Sequence, residues 1–199
     1  VYSISNGVDT DFFAPDPARR EDFRRRWNIP EGQRTVISVG HTIARKGLPE
    51  FLELAVRMPD VRFLWFGWTD PCLIPQEVRQ AMEQAPENVT FAGFVDRETL
   101  REAYCGADVF AFMSHEETEG IVVLEALACG IPTVVRDIPV YAGWLRDGKN
   151  VYKADSTEAF RQRVTGLLDG ALPDLTEAGR RVAEERSMAA MGEQLREIY

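Results

Sequence analysis

Asp108-Val109-Phe110-Ala111-Phe112-Met113, then Ser114-His115-Glu116-Glu117-Thr118-Glu119-Gly120, then Ile121-Val122-Val123-Leu124-Glu125-Ala126-Leu127-Ala128-Cys129-Gly130, then Ile131-Pro132-Thr133-Val134-Val135-Arg136, decide the fold. The first run is apolar without alternation, as in a strand buried on both faces. Gly120 opens a helix over 121–129. Its β-branched first turn is a poor helix starter, but Leu124-Glu125-Ala126-Leu127-Ala128 favours helix strongly. A second short β-branched strand follows from Pro132 to Arg136.

Outward from this unit the same alternation repeats. Strands are predicted over 35–40, 61–67 and 89–93, with a sixth at Asn150-Val151-Tyr152. Helices are predicted over 48–58, with Leu48, Phe51, Leu52 and Ala55 on one face, over 76–84, and over 96–104 with Asp96 as N-cap. Three more helices, over 156–168, 175–186 and 187–199, close the chain, and 13–20, with Pro15 and Pro17, reads as a linker. Strands apolar on both faces that alternate with helices imply an α/β fold: a parallel sheet of about six strands with helices on both sides. Ligands in such folds sit at the carboxyl ends of the strands, here the loops after Gly40, Gly67, Gly93 and Met113.

Composition narrows the partners. The 199 residues, 45% apolar, suffice for one buried core and not for two full α/β domains. Acidic residues number 32 against 23 basic ones, a formal charge of -9, and the basic run is only Arg24-Arg25-Arg26. Duplex nucleic acid and anionic membrane surfaces are repelled on average. Cys72, Cys105 and Cys129 match no metal-ligand or C-x-x-C spacing and read as small buried apolar residues, in keeping with a reducing cytosol. No apolar run is long enough to cross a membrane, and Val1-Tyr2-Ser3-Ile4-Ser5 lacks the features of a signal peptide. The chain opens without Met, inside what reads as a strand, as an excised piece would.

The acidic loop and the helix after it carry the chemistry. A helix that starts at a glycine leaves the N–H groups of Gly120, Ile121 and Val122 unpaired, with the positive end of the helix dipole behind them, where a phosphate can settle. Glu125, about one turn in, can accept hydrogen bonds from a ribose diol, and Glu117 can do so from the hydroxyls of a sugar. Taken as residues alone, these acids read more simply as a solvated face that complements the dipole.

The wider pattern points further. Glu117 and Glu125 stand in the E-x7-E spacing of the retaining, two-Rossmann-domain (GT-B type) glycosyltransferases of group 1, and Gly120, Glu125-Ala126, Cys129-Gly130 and Pro132 match that pattern. Asn6-Gly7-Val8-Asp9 with Phe12, Phe13 and Pro15 resembles the family's interdomain crossing. Ser38-Val39-Gly40 with Arg45-Lys46-Gly47 resembles its diphosphate-gripping loop, and Ala107-Asp108-Val109-Phe110 the strand before the acidic motif. The likeness runs over nearly the whole chain. Residues 116–128, then Val135-Arg136-Asp137-Ile138-Pro139-Val140-Tyr141 and Gly143-Trp144-Leu145, resemble bacterial diacylglycerol glucosyltransferases in particular.

That resemblance implies a Rossmann-like C-terminal domain over 18–186, preceded by a crossing segment over 1–17 and followed by a helix over 187–199 that returns to an N-terminal domain. It implies a nucleoside-diphosphate sugar donor, UDP-glucose, and retention of anomeric configuration without a metal ion or other cofactor. The acceptor it implies is a membrane lipid, diacylglycerol, reached through the N-terminal domain; the alternatives are a polysaccharide or other acceptor, or a non-catalytic nucleotide-binding domain of the same fold. By position, Glu117 contacts the transferred sugar, Glu125 the ribose, and Gly120, Ile121 and Val122 the diphosphate, with Lys46 and Arg45 as cations. His41 stands where the family usually has arginine, and Phe94-Val95 where backbone groups hold the base. Tyr141 and Trp144 read as packing, and His115 and Glu119 as polar residues near the sugar or the surface. No nucleophile or general base is evident, so this chain is expected to bind donor without turnover. The full-length enzyme is expected in the cytoplasm, peripheral on the inner face of the membrane. A flavodoxin-like receiver would need an aspartate where Gly40 and His41 stand.

Overall fold

The computed structural model describes residues 5–198; the predicted opening strand, through Ile4, and Tyr199 at the end of the last predicted helix lie outside the described residues. In chain order the elements are α1 (Arg19–Arg26), β1 (Thr35–Val39), α2 (Leu48–Val56), β2 (Arg62–Phe66), α3 (Gln76–Glu83), β3 (Val89–Gly93) and α4 (Arg97–Gly106). They continue with β4 (Val109–Phe112), α5 (Ile121–Cys129), β5 (Thr133–Arg136), β6 (Tyr152–Ala154), α6 (Thr157–Leu168), α7 (Thr176–Glu185) and α8 (Met188–Ile198). The six strands form one sheet in the order β3-β2-β1-β4-β5-β6, all parallel.

The uninterrupted apolar strands are explained by cores on both sides of the sheet. Side chains of a strand alternate between faces. In β4, Phe110 and Phe112 enter a core with Tyr104 of α4 and Leu124 of α5, while Val109 and Ala111 enter the other with Phe51 of α2 and Phe160 of α6. Strand β2 divides in the same way, Leu64 and Phe66 on one side, Phe63 and Trp65 on the other. Helix starts follow local chemistry: Asp96 caps α4 by accepting from Thr99 N at 2.8 Å, and Ser156 caps α6 by accepting from Ala159 N at 3.3 Å.

Three readings of the sequence are corrected. Residues 13–20 are not a linker: Phe13 is buried against Tyr104, and Arg19 opens helix α1. That helix, RREDFRRR, has a single buried residue, Phe23, and so carries no apolar period. Acidic residues in its first turn and arginines in its last complement the helix dipole, and Phe23 packs over Gly106 of α4. The sixth strand lies at Tyr152–Ala154, because Asn150 turns the chain instead, accepting from Arg146 N at 2.7 Å and donating to Trp144 O at 3.0 Å. Cys129 is buried as expected, but Cys72 is exposed in the loop after β2.

One polar side chain ties the start of β3 to the turn before β2. The Asn88 amide donates to the carbonyls of Ala55, Met58 and Val61 at 3.0, 3.0 and 2.9 Å. Asn88→Ala leaves these part-buried acceptors without that donor, and a loss of about 1–3 kcal/mol is expected by chemical denaturation. A loss under a few tenths would show that solvent replaces the amide.

Candidate functional site

β1 is flanked by β2 on one side and β4 on the other, so the chain leaves β1 in one direction and returns to its far side through β4. At such a reversal the loops from adjacent strands diverge and leave a crevice at the carboxyl ends. The loop after β1 carries His41, Arg45 and Lys46, and the loop after β4 carries His115 to Glu119.

Backbone contacts stitch these two loops together. Arg45 O accepts from His115 N at 2.9 Å and from the Ser114 hydroxyl at 3.3 Å. Gly47, at φ +80°, lies so close to the end of β4 that an added Cβ would stand 2.3 Å from Met113 O. That carbonyl is itself held by Arg136 Nε at 2.9 Å, so it has little freedom to retreat.

The stitching brings Lys46 Nζ to 2.6 Å from Glu117 Oε1, with only 15% and 10% of the two side chains exposed. A buried cation and anion are costly to desolvate and hold each other by proximity, so removal of either leaves the other uncompensated. Next to them α5 starts at Gly120, at φ +82° and with no side-chain cap. Among the described residues no acceptor pairs with the N–H groups of Gly120, Ile121 or Val122; the first turn is closed by Val123 N to Gly120 O at 2.9 Å. The open first turn, a positive helix end, thus begins three residues after the carboxylate that holds Lys46.

A cavity of about 320 Å³ opens there. His41, Lys46, Val95, Glu117 and Val122, all predicted from the sequence, line it. Gly120 and Ile121 adjoin it at the helix start. Arg45 lies at the loop's outer side, its exposed guanidinium donating to Glu116 O at 3.2 Å. His41 is exposed, with Nδ1 3.0 Å from Trp68 O.

Glu125 sits one turn beyond Val122 and does not line the cavity. It is largely buried, and the Tyr104 hydroxyl donates to it at 3.1 Å. Burial raises its carboxyl from 4.5 to about 7, against the opposing pull of the Tyr104 hydrogen bond and the Arg97 charge. Glu119 points the other way, toward the start of the described chain, where it accepts from Asn6 N at 3.1 Å and from the Ser5 hydroxyl. His115 meets Glu50 of α2.

Three residues near the site were not singled out for it by sequence. Trp68, 53% exposed, lines the cavity mouth beside Phe94, 85% exposed; an aromatic directly after the strand-ending Gly67 was the available signal. Tyr104 reads as an ordinary apolar-face residue of α4, and only the fold gives it Glu125 as a partner. Tyr141 packs, as expected, but its hydroxyl lies under Gly120. Among the described residues no three His, Cys, Asp or Glu side chains cluster as metal ligands. The Asp-x-Asp triplet of the chain, Asp9-Thr10-Asp11, lies ahead of α1, where Asp9 accepts from Phe12 N at 3.0 Å and pairs with Arg97 at 3.6 Å. No helix of the described residues is long and apolar enough to cross a membrane.

Comparison with known proteins agrees with this geometry. The family model for group 1 glycosyl transferases matches residues 19–185. Over 199 residues the chain is 36% identical to the processive diacylglycerol alpha-glucosyltransferase of Acholeplasma laidlawii, covering all of this chain and 60% of that protein. It is 32% identical to the alpha-galactosylglucosyldiacylglycerol synthase of Streptococcus pneumoniae over 71% of this chain and 39% of that one. The match therefore covers less than two thirds of the length of either relative. Among solved structures, Anabaena HepE in complex with UDP superposes with a TM-score of 0.86 at 19% identity, over 98% of this chain and 56% of that one. The C-terminal domain of a group 1 family protein from Francisella tularensis superposes with a TM-score of 0.75 at 22% identity, over 92% of this chain and 100% of that one. These likenesses establish the Rossmann-like fold of GT-B glycosyltransferases. With the family model matched across its length, the chain belongs to the group 1 glycosyl transferases.

Proposed function

We propose that this chain is the donor-binding domain of a retaining, metal-independent hexosyltransferase that moves glucose from UDP-glucose to diacylglycerol. One observation carries the reading: the Lys46–Glu117 pair and Val122, from the open first turn of α5, line one cavity at the switch point of the sheet. The diphosphate lies on the amides of Gly120, Ile121 and Val122, with Lys46 and Arg45 as its cations. These preorganised groups stabilise the charge that develops as the UDP leaving group departs. Glu117 accepts from hydroxyls of the glucose, Glu125 from those of the ribose, and the uracil lies by Val95 with His41 at the rim. The crossing segment over 1–17 and the helix over 187–199 join this domain, 18–186, to an acceptor-binding domain. In the cell the full-length enzyme lies in the cytoplasm, peripheral on the inner face of the membrane.

The donor assignment draws on the UDP bound by HepE, and the lipid acceptor on the A. laidlawii and S. pneumoniae relatives. Calorimetric titration of the 199-residue chain with UDP, and with GDP as competitor, tests it. UDP is expected to bind at millimolar concentration or below and to outcompete GDP. The same chain, mixed with UDP-glucose and vesicles containing diacylglycerol, is expected to show no sustained transfer. No heat with millimolar UDP would overturn the site, a preference for GDP the donor, and sustained transfer the division of labour.

A further inference from the structure

Among the buried groups that the proposed reaction does not use, the Tyr141 hydroxyl stands out by its place. Tyr141 ends a short 3-10 turn, Pro139–Tyr141, and none of its surface reaches solvent. Trp144 holds its ring edge-on at 5.5 Å between centroids, and Tyr141 N is fixed to Ile138 O at 3.1 Å. Among the described residues its hydroxyl has no hydrogen-bond partner. An orphaned buried hydroxyl opposes folding, so it calls for an explanation.

The surroundings supply one. A Cβ added to Gly120 would stand 2.6 Å from the Tyr141 hydroxyl, so the oxygen lies directly beneath the turn that ends three residues after Glu117. Burial pushes the phenol well above its ordinary range, and the nearby Glu117 carboxylate pushes it further. The group is therefore a neutral O–H donor under Gly120, at the end of the loop that carries Glu117, whose partner is Lys46 at 2.6 Å.

That pairing cannot survive donor binding unchanged. A diphosphate on the α5 amides carries more negative charge than one carboxylate and draws the ammonium toward itself. Glu117, only 10% exposed, would then be left as a buried anion without its cation. We propose that Tyr141 is a positioning residue whose hydroxyl takes over Glu117 when an incoming diphosphate draws Lys46 away. The exchange keeps the carboxylate fixed in place for the sugar, and it gives the orphan hydroxyl its partner only in the liganded state. This inference rests on the donor-site reading given above.

The experiment is a double-mutant cycle with UDP as the calorimetric probe: wild type, Tyr141→Phe, Glu117→Gln and the pair, each also melted without ligand. Tyr141→Phe keeps the ring and its packing on Trp144. Without ligand its melting temperature is expected to equal or exceed that of wild type, since the lost hydroxyl had no partner. Its UDP affinity is expected to fall roughly tenfold, the scale of a hydrogen bond to a charged group. In the Glu117→Gln background, where no anion is left to compensate, the same change is expected to cost less than about twofold. Equal losses in both backgrounds, wild-type affinity in Tyr141→Phe, or a lower unliganded melting temperature would each overturn the inference while leaving the donor site intact. A wild-type chain that does not bind UDP would instead remove the site and this inference together.

Discussion

Gly47→Ala is expected to lower the thermal midpoint by about 10 °C and to abolish nucleotide binding at the concentrations that saturate the wild type. The glycine is at φ +80°, where a side chain is strained, and its added Cβ would stand 2.3 Å from Met113 O and 2.5 Å from Met113 C. Neither backbone atom can swing aside as a flexible side chain would, because Arg136 Nε holds that carbonyl at 2.9 Å. Strain and overlap together are worth about 3–5 kcal/mol. At about 2–4 °C per kcal/mol for a chain of this size, that gives the shift stated. The loss reaches the site because Lys46 immediately precedes Gly47 and Arg45 O is bonded to His115 N at 2.9 Å. Any retreat of this loop opens the gap between Lys46 and Glu117. Gly93→Ala is the control: its φ of +71° is comparable, but an added Cβ meets nothing within 4 Å, so only the backbone cost of about 1–2 kcal/mol applies. Equal shifts for the two variants, measured by thermal denaturation, would show that close approach at Gly47 is not what holds the loops.

UDP affinity is expected to rise about tenfold or more from pH 6 to pH 8, and Glu125→Gln to reduce that rise to the part due to the terminal phosphate of UDP, whose second pKa is about 6. Burial raises the Glu125 carboxyl from 4.5 to about 7, so it passes from mostly protonated to mostly ionised across this interval. Ribose hydroxyls donate best to the ionised form, and ligand binding therefore follows its appearance. Glu125→Ala removes the acceptor outright and is expected to weaken UDP by about tenfold to a hundredfold at pH 8, the equivalent of about 1.5–3 kcal/mol. The same shift acts on stability with the opposite sense. Between 4.5 and about 7 the folded chain keeps a proton that the unfolded chain has released, so this group's contribution is intact below 4.5 and is lost as pH rises through 7. The loss amounts to up to about 3 kcal/mol. Glu125→Gln should therefore flatten the decline in melting temperature across that window. A pH-independent affinity in the wild type would place Glu125 outside the nucleotide contacts.

Most of the fold was legible because its signals are local. Helix α5 ends where the sequence places it, Ile121–Cys129, since a glycine precedes the helix and another follows it. Strand β3 likewise runs over Val89–Gly93 as predicted. Helix α1 was illegible for the converse reason: its one core residue, Phe23, leaves no period to detect, and what holds it is contact with α4, more than seventy positions on. Arg20 makes the same distant link, donating to Gly106 O at 2.6 Å and Asp108 at 2.7 Å. Of the residues that the sequence offered as site candidates, Lys46, Glu117, Val95, His41 and Val122 line one cavity. The sequence held no means to see that Tyr104 would share a hydrogen bond with Glu125, or that the packed Tyr141 would have no partner for its hydroxyl among the described residues.

By itself, then, the amino-acid order determined the alternation of strand and helix, the burial of both sheet faces and the open amides at Gly120. Each is set by neighbours within a turn or two, where hydropathy period and backbone preference act. The strand order was left to the tertiary structure, which sets β1 beside β4 and so closes Lys46 onto Glu117 across seventy-one positions. Pairs that distant are chosen by the packing of whole layers on the sheet, and no local preference of either residue encodes them.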